Sequence, residues 1–222
     1  MDAIEIKLRE QLVEVCQLLW DAGLVTGSAG NVSVRIPGTN KCIIKPTGFR
    51  LCDLKPEEFT VVDIKTREIL SGELAPSTET PFHATLYSVR ADIGGIVHNH
   101  SYYATLFSIA GIELVPMGMI LYSAPPLAKG IGISKYALPG TEDLALNIAE
   151  EIKDKDAVLL PHHGVLTVGT NVMEAFKVSK GVEDLAKLQF DLMRISKPQP
   201  LPDVTLQRIL ERYEKRMKSP EA

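Results

Sequence analysis

Gly94-Gly95-Ile96-Val97-His98-Asn99-His100-Ser101 is the stretch from which the fold and the chemistry both unfold. Two glycines lead into a short β-branched run, and two imidazoles follow, two positions apart. The run from Gly94 to His100 predicts a strand, and residues i and i+2 of a strand point to one face. His98 and His100 therefore project together, as a strand must to offer two nitrogens to one metal. Ser101 to Ala110 predicts a helix directly after it. A bare His-x-His is more simply a pair of polar residues at a strand end. Zinc needs three or four ligands at about 2.0–2.1 Å, so the reading turns on whether the chain supplies a third.

The turn Pro161-His162-His163-Gly164 lies between two further apolar runs, Ala157 to Leu160 and Val165 to Val168, both read as strands. Either of its histidines can supply the third ligand, leaving the other facing solvent. Glu79, in Pro76-Ser77-Thr78-Glu79, precedes a helix predicted over Pro81 to Arg90, with Thr80 as its cap and Pro81 at its first position. A carboxylate there is either a dipole-favoured cap or a catalytic group. His83 stands one helical turn further on and reads as a partly buried partner that orients the carboxylate, rather than as a fourth ligand. Gly27-Ser28-Ala29-Gly30-Asn31, Pro46-Thr47-Gly48 and Ser77-Thr78 are turns rich in hydroxyls, amides and free backbone N–H groups, and such concavities suit phosphate. Each is weak alone, because turns favour these residues anyway. Neither a lysine-bearing P-loop nor G-x-G-x-x-G is present, so nucleotide binding is not indicated.

Outward from these motifs the chain alternates helical and strand grammar. Ile4 to Ala22 has apolar residues at helical spacing and Gly23 as its stop. Val32 to Ile36 and Cys42 to Ile44 flank the turn cluster Pro37 to Asn40, and Phe59 to Ile64 with Glu68 to Leu70 predict a second strand pair. Leu114 to Met119 predicts a strand and Leu121 to Lys135 mostly loop. Thr141 caps a helix to Lys153, Asn171 with Glu174 opens one to about Arg194, and a last helix covers 203–218. No repeat or internal linker divides the 222 residues, so a single α/β domain is expected over 1–222, with the C-terminal helix free to reach a neighbouring subunit.

Composition removes other classes. Hydrophobic residues at 45% and charged residues at 23% are ordinary for a globular protein, and a net charge of −4 without a basic stripe argues against nucleic acid. Cys16, Cys42 and Cys52 are odd in number and hold no CxxC pair, so they read as reduced thiols in a cytoplasmic protein. Met1 to Gln11 lacks a signal-peptide core, and the apolar stretch from Thr105 to Leu127 is broken by Glu113, prolines and glycines, so no membrane span is expected.

Taken in order, Gly27-Ser-Ala-Gly-Asn31-Val-Ser-Val-Arg35, Pro46-Thr-Gly48, Pro76-Ser-Thr-Glu79, His98-Asn-His100-Ser101, Gly140-Thr141 and His163-Gly164-Val165 strongly resemble the class II aldolase/adducin family, over about residues 5 to 195. The resemblance implies a single α/β/α domain around a mainly antiparallel central sheet, and a homotetramer with sites at subunit interfaces. It implies one zinc ion per subunit on His98, His100 and His163, with His162 demoted because the family's ligand directly precedes Gly. Glu79 becomes the acid/base. Gly30, Asn31, Thr47, Gly48, Ser77 and Thr78 become the phosphate-binding residues. Tyr136 matches an active-site tyrosine of the aldolases, and Tyr213 is the candidate for a tyrosine supplied by a neighbouring subunit. The reaction implied is reversible cleavage of a ketose 1-phosphate, of the L-fuculose 1-phosphate type, to dihydroxyacetone phosphate and an aldehyde.

The same scaffold hosts other chemistry. The epimerase relatives that act on ribulose phosphate carry an additional Asp before the tyrosine region, whereas Leu114 to Leu138 holds no acidic residue. Methylthioribulose-phosphate dehydratases and sugar-phosphate decarboxylases share the metal and phosphate motifs and stay open. A cupin or a 2-His-1-carboxylate iron site also uses His-x-His, but the helices disfavour an all-β fold. Adducin-type relatives are interaction modules without the ligands, whereas this chain keeps the histidines and the glutamate.

Overall fold

The computed structural model describes residues 2–218. Eight strands form one sheet. They are β1 (Asn31–Arg35), β2 (Lys41–Ile44), β3 (Thr60–Asp63), β4 (Ile69–Ser71), β5 (Gly95–Asn99), β6 (Gly132–Ile133), β7 (Ala157–Leu160) and β8 (Gly164–Gly169). Their spatial order is β4-β3-β2-β1-β5-β8-β7-β6, and every neighbouring pair is antiparallel except β6 with β7. The helices are α1 (Ala3–Asp21), α2 (Thr80–Val89), α3 (Tyr102–Ala110), α4 (Ile120–Ser123), α5 (Glu142–Glu151), α6 (Val172–Leu192) and α7 (Asp203–Met217). None of the helices is long and apolar enough to cross a membrane among the described residues.

Period-two patterning explains the layers. On β1, Val32 and Val34 join Leu12, Val15 and Leu19 of α1 and Ala175 of α6. Ser33, between them, must face the opposite side. There Phe82, Leu86 and Tyr87 of α2 and Leu144 and Ile148 of α5 cover Ile96, Leu166 and Val168. On the first side, α3, α6 and Ile209 of α7 close over Ala157, Leu159 and Val165. The result is the expected α/β/α arrangement around a mainly antiparallel sheet. Fully buried side chains such as Leu86 and Ile148 stabilise it by roughly 1.5–3 kcal/mol each.

Element ends agree with the sequence closely, with four instructive exceptions. Leu114 to Met119 forms no strand. Its backbone is satisfied by a side chain instead: Val115 N donates to Gln189 Oε1, and Gln189 Nε2 donates to the Glu113 carbonyl. Pro116 in this segment has no N–H to offer a ladder. The segment 121–135, expected to be mostly loop, contains α4's end, a 3-10 turn at Pro125–Lys129 and the edge strand β6. α2 begins at Thr80, so Glu79 holds the cap position, and the Thr80 hydroxyl donates to the Ser77 carbonyl. Asn171 caps α6 by accepting from Glu174 N at 2.9 Å, while the Glu174 carboxylate turns to Lys177.

Candidate metal centre and anion cradle

Strand register assembles the site. β1 and β5 set Asn31 opposite His98, and β5 and β8 set His98 opposite Leu166 and Asn99 opposite Val165. The tight turn from β7 to β8 then delivers His163 to the same end of the sheet as His98 and His100. One ligand nitrogen from each of the three histidines lies within 4.8 Å of the others, close enough to hold one metal ion. Their ring centroids stand 4.6 to 4.9 Å apart.

The neighbouring His162 goes elsewhere. It adopts φ +59°, is exposed, and lays its ring edge-on to Tyr136 at 6.1 Å. Gly164 makes the turn possible, because a Cβ there would stand 2.3 Å from the Asn99 carbonyl oxygen and 3.0 Å from the His100 ring. The His-Gly pair is thus a steric consequence of packing two histidine-bearing segments together.

The donor set suits a cation. Burial pushes His98 and His163 down to about 3 and lowers His100 as well, so all three imidazoles are neutral with a lone pair to give. His98 Nδ1 lies 2.9 Å from the Val165 carbonyl, which accepts its proton and leaves Nε2 as the free donor of electrons. That Nε2 faces His100 Nε2 at 3.0 Å and Glu79 Oε2 at 3.3 Å. His163 Nε2 faces Glu79 Oε1 at 3.3 Å, and Oε1 is buried without a hydrogen-bond partner. Lone pairs gathered from three imidazoles and a carboxylate repel one another until a positive charge sits among them. The residues present therefore fit a metal ion.

Behind Glu79 runs a buried hydrogen-bonded chain. Asn31 Nδ2 donates to Glu79 Oε2 at 2.7 Å, and Asn31 Oδ1 lies 2.5 Å from His83 Nε2. His83 Nδ1 lies 2.7 Å from the Ser33 hydroxyl, which lies 2.8 Å from the Tyr87 hydroxyl. His83 is fully buried, stacked on Phe82, and burial drives its pKa well below the usual imidazole value. It reaches Glu79 through Asn31 rather than by the direct contact that the helical spacing suggested.

A cleft of about 460 Å³ opens over the triad, bordered by Glu79, His100 and His163. The loop residues Gly30, Asn31, Thr47, Gly48, Ser77 and Thr78 line the same cleft, so the structure brings every predicted phosphate contact to one place. An isolated bridge between Pro46 and Pro76 ties two of the loops, with Thr47 N donating to the Ala75 carbonyl and Ser77 N to the Lys45 carbonyl. Gly30 is packed so tightly on β5 that a Cβ would meet the His98 carbonyl oxygen at 2.9 Å. Lys45 is the residue that motif reading missed. It is 3% exposed, donates to the Ser28 carbonyl at 3.0 Å, and lines the cleft. Burial lowers its pKa, and the nearby Glu79 carboxylate pulls the other way. Its signal in the sequence is its position directly before Pro46-Thr47-Gly48.

The two tyrosines stand apart from the triad. Tyr136 is 59% exposed and lines a separate opening with Leu146 and Asn147. Tyr213 is half-buried, and its hydroxyl lies 3.4 Å from Glu174 Oε2 beside a small cavity with Arg90, Asp156 and Thr170. Asp156 precedes β7 and Thr170 follows β8, so Tyr213 is at the end of the sheet opposite the histidines of its own chain.

Comparison with known proteins fits this geometry. Residues 10–190 match the family described as the class II aldolase and adducin N-terminal domain. The chain is 30% identical to a 5-deoxy-D-ribulose 1-phosphate aldolase of Bacillus thuringiensis, over 94% of this chain and 96% of that one. It is 32% identical to an L-fuculose phosphate aldolase of Escherichia coli K12, over 93% and 94% respectively. A solved structure of an L-fuculose 1-phosphate aldolase superposes with a TM-score of 0.86 at 29% identity, covering 94% of this chain and 96% of that one.

Proposed function

This chain belongs to the class II aldolase and adducin family and is an aldolase-type lyase, and on that premise we propose that it reversibly cleaves a ketose 1-phosphate of the L-fuculose 1-phosphate type to dihydroxyacetone phosphate and an aldehyde. The observation that carries the reading is the Glu79 carboxylate, set within 3.3 Å of His98 and His163 on a cleft whose other wall is hydroxyls, turn N–H groups and Lys45.

His98, His100 and His163 would hold one zinc ion, which when bound supplies Lewis-acid polarisation of the substrate oxygens next to the breaking bond. The turns at 27–31, 46–48 and 77–78 and the Lys45 ammonium hold the phosphate, fixing the carbon skeleton against Glu79. When the bond to the aldehyde breaks, Glu79 delivers a proton to the electron-rich carbon left on the dihydroxyacetone phosphate side; in synthesis it removes that proton. Asn31 holds the carboxylate during both steps.

The proton that leaves the carbinol oxygen as the aldehyde forms passes to a tyrosine, Tyr136 or Tyr213; Tyr136 lies beside the exposed His162, in an opening next to the triad's cleft. Tyr213 can serve there only from a neighbouring subunit, because within one chain it lies at the other end of the sheet. A homotetramer with sites at its interfaces meets that need, and exposed Tyr102, Met119 and Ile195 offer apolar surface for such contacts. The C-terminal helix expected over 203–218, α7 (Asp203–Met217), is the segment that would bring Tyr213 across. Three unpaired cysteines, two of them buried, agree with a cytoplasmic setting.

The half-reaction tests this reading. Zinc-loaded protein given dihydroxyacetone phosphate alone in heavy water should exchange one hydrogen of the hydroxymethyl carbon, seen by proton NMR. Glu79→Gln should abolish that exchange. Failure of the wild-type protein to exchange it would defeat the reading.

A further inference from the structure

We propose that His83 is a positioning residue: it fixes the Asn31 amide in the orientation that presents its nitrogen to Glu79, and so holds the carboxylate against the histidine triad. The inference rests on the reading of Glu79 as the proton-moving group, and adds a device that sets its position.

The argument is one of donors and acceptors. Glu79 Oε2 is a carboxylate oxygen and can only accept, so the Asn31 atom 2.7 Å away must be its NH₂. Asn31 Oδ1 is then left to accept, and its partner at 2.5 Å, His83 Nε2, must carry the proton. A neutral His83 with Nε2–H has a bare Nδ1, which needs a donor, and the Ser33 hydroxyl supplies it at 2.7 Å. Ser33 Oγ can then accept from the Tyr87 hydroxyl at 2.8 Å. Each group in the chain is thereby satisfied, and all the protons point toward Glu79.

Reversing any member reverses the rest. With the proton on His83 Nδ1, the bare Nε2 would demand the Asn31 NH₂, and Asn31 Oδ1 would then face the Glu79 carboxylate, acceptor against acceptor. The chain behind Asn31 is closed to water, with Ser33 and His83 0% exposed and Tyr87 2%, and only Asn31, 3% exposed, edges the cleft. No solvent molecule can therefore repair a misdirected member cheaply. Strand register supplies the geometry. Asn31 and Ser33 lie two apart on β1 and share a face, and His83 and Tyr87 lie four apart on α2, which packs on that face.

The test uses zinc-loaded protein and compares His83→Leu, His83→Gln and Ser33→Ala with the parent. Gln can place an amide N–H where His83 Nε2–H stands; Leu cannot. His83→Leu should lower kcat by about tenfold to a hundredfold while KM and zinc content stay unchanged. His83→Gln should recover most of the lost kcat. Ser33→Ala removes the donor to Nδ1 and so weakens the bias toward Nε2–H: it should lower kcat by less than Leu does, and should raise the minor Nδ1–H fraction in a two-bond nitrogen–proton correlation spectrum of histidine-labelled protein. Wild-type kcat in His83→Leu, equal kcat in the Leu and Gln variants, or a loss carried by KM or zinc content would overturn the proposal. If His83→Leu does not fold, Ser33→Ala decides, and an unchanged kcat there overturns it. If the parent cleaves no ketose 1-phosphate, the functional reading fails and the spectrum of the metal-free protein tests the positioning claim alone: Nε2–H supports it and Nδ1–H overturns it.

Discussion

Asn31 Nδ2 donates to Glu79 Oε2 at 2.7 Å, joining the first residue of β1 to the cap position of α2 across 48 residues of sequence. Because β1 also sets Asn31 opposite His98, one side chain ties the carboxylate to β5, which carries His98 and ends directly before His100. On the proposed function, the loop from Gly27 to Asn31 would then serve the proton-handling side of the site as well as the phosphate.

Substituting Asn31 tests that tie. Asn31→Ala removes the donor, and kcat should fall by roughly tenfold or more. Asn31→Asp should be worse at neutral pH, because it sets a second carboxylate against Glu79. Steady-state kinetics of the two variants side by side checks the order; an Asp variant as active as the Ala variant would mean that the amide does not face Glu79.

Glu79→Gln keeps the shape of the side chain and removes the base. Turnover should drop by about 10²- to 10⁴-fold, the usual contribution of a positioned acid or base. Zinc content, measured by atomic absorption, should stay at the parent level. A Gln variant with near-parent turnover would assign the proton transfer elsewhere.

The two adjacent histidines should behave oppositely. His163→Ala removes one of the clustered nitrogens and should abolish both zinc retention and activity. His162→Ala removes an exposed ring that touches Tyr136, and should leave zinc bound. Zinc retained in His163→Ala would displace the metal centre from this triad.

Lys45→Met keeps the buried stem and deletes the charge. Its effect should fall on binding, with KM for the phosphorylated substrate raised about tenfold or more and kcat changed less, as expected when an interaction common to ground and transition states is lost. A kcat loss with unchanged KM would contradict a phosphate role.

Metal-free protein should lose stability in acid within a definable window. Folded His98 and His163 titrate at about 3 and His83 well below its ordinary value, whereas an unfolded imidazole titrates near about 6.5. Between those limits the unfolded state binds more protons, so stability rises with pH. It should be intact above about pH 6.5 and drain away as pH falls toward about 3. Thermal melts of chelator-treated protein across that range give the slope, and His83→Gln should flatten it. A parent melting temperature independent of pH through this window would refute the burial of neutral imidazoles.

Much of this was legible in the chain because each signal is local. His98 and His100 share a face by strand periodicity, whereas the choice of His163 over His162 comes from the family resemblance and not from the turn itself. The caps follow from side-chain chemistry: Thr141 Oγ1 accepts from Leu144 N as read, and Asn171 caps its helix, although Glu174 turns to Lys177 instead of closing the capping box. What escaped depends on contacts between distant residues. β6 is two residues long and exists because β7 offers it a parallel edge, which nothing within 121–135 announces. Leu114 to Met119 looks like a strand, but Gln189, some 75 residues on, takes its hydrogen bonds. Lys45 reads as an ordinary surface lysine until the fold buries it beside the cleft. The path from His83 through Asn31 to Glu79 joins residues 52 and 48 positions apart, beyond any local motif.

The most direct test of the central claim is release of dihydroxyacetone phosphate from a panel of ketose 1-phosphates, with and without a chelator. L-fuculose, L-rhamnulose, D-ribulose and 5-deoxy-D-ribulose 1-phosphates make up the panel. Release from at least one of them, lost on chelation and restored by zinc, is the predicted result. Protein shown to contain zinc that releases none, or release indifferent to the chelator, would contradict a metal-dependent aldolase.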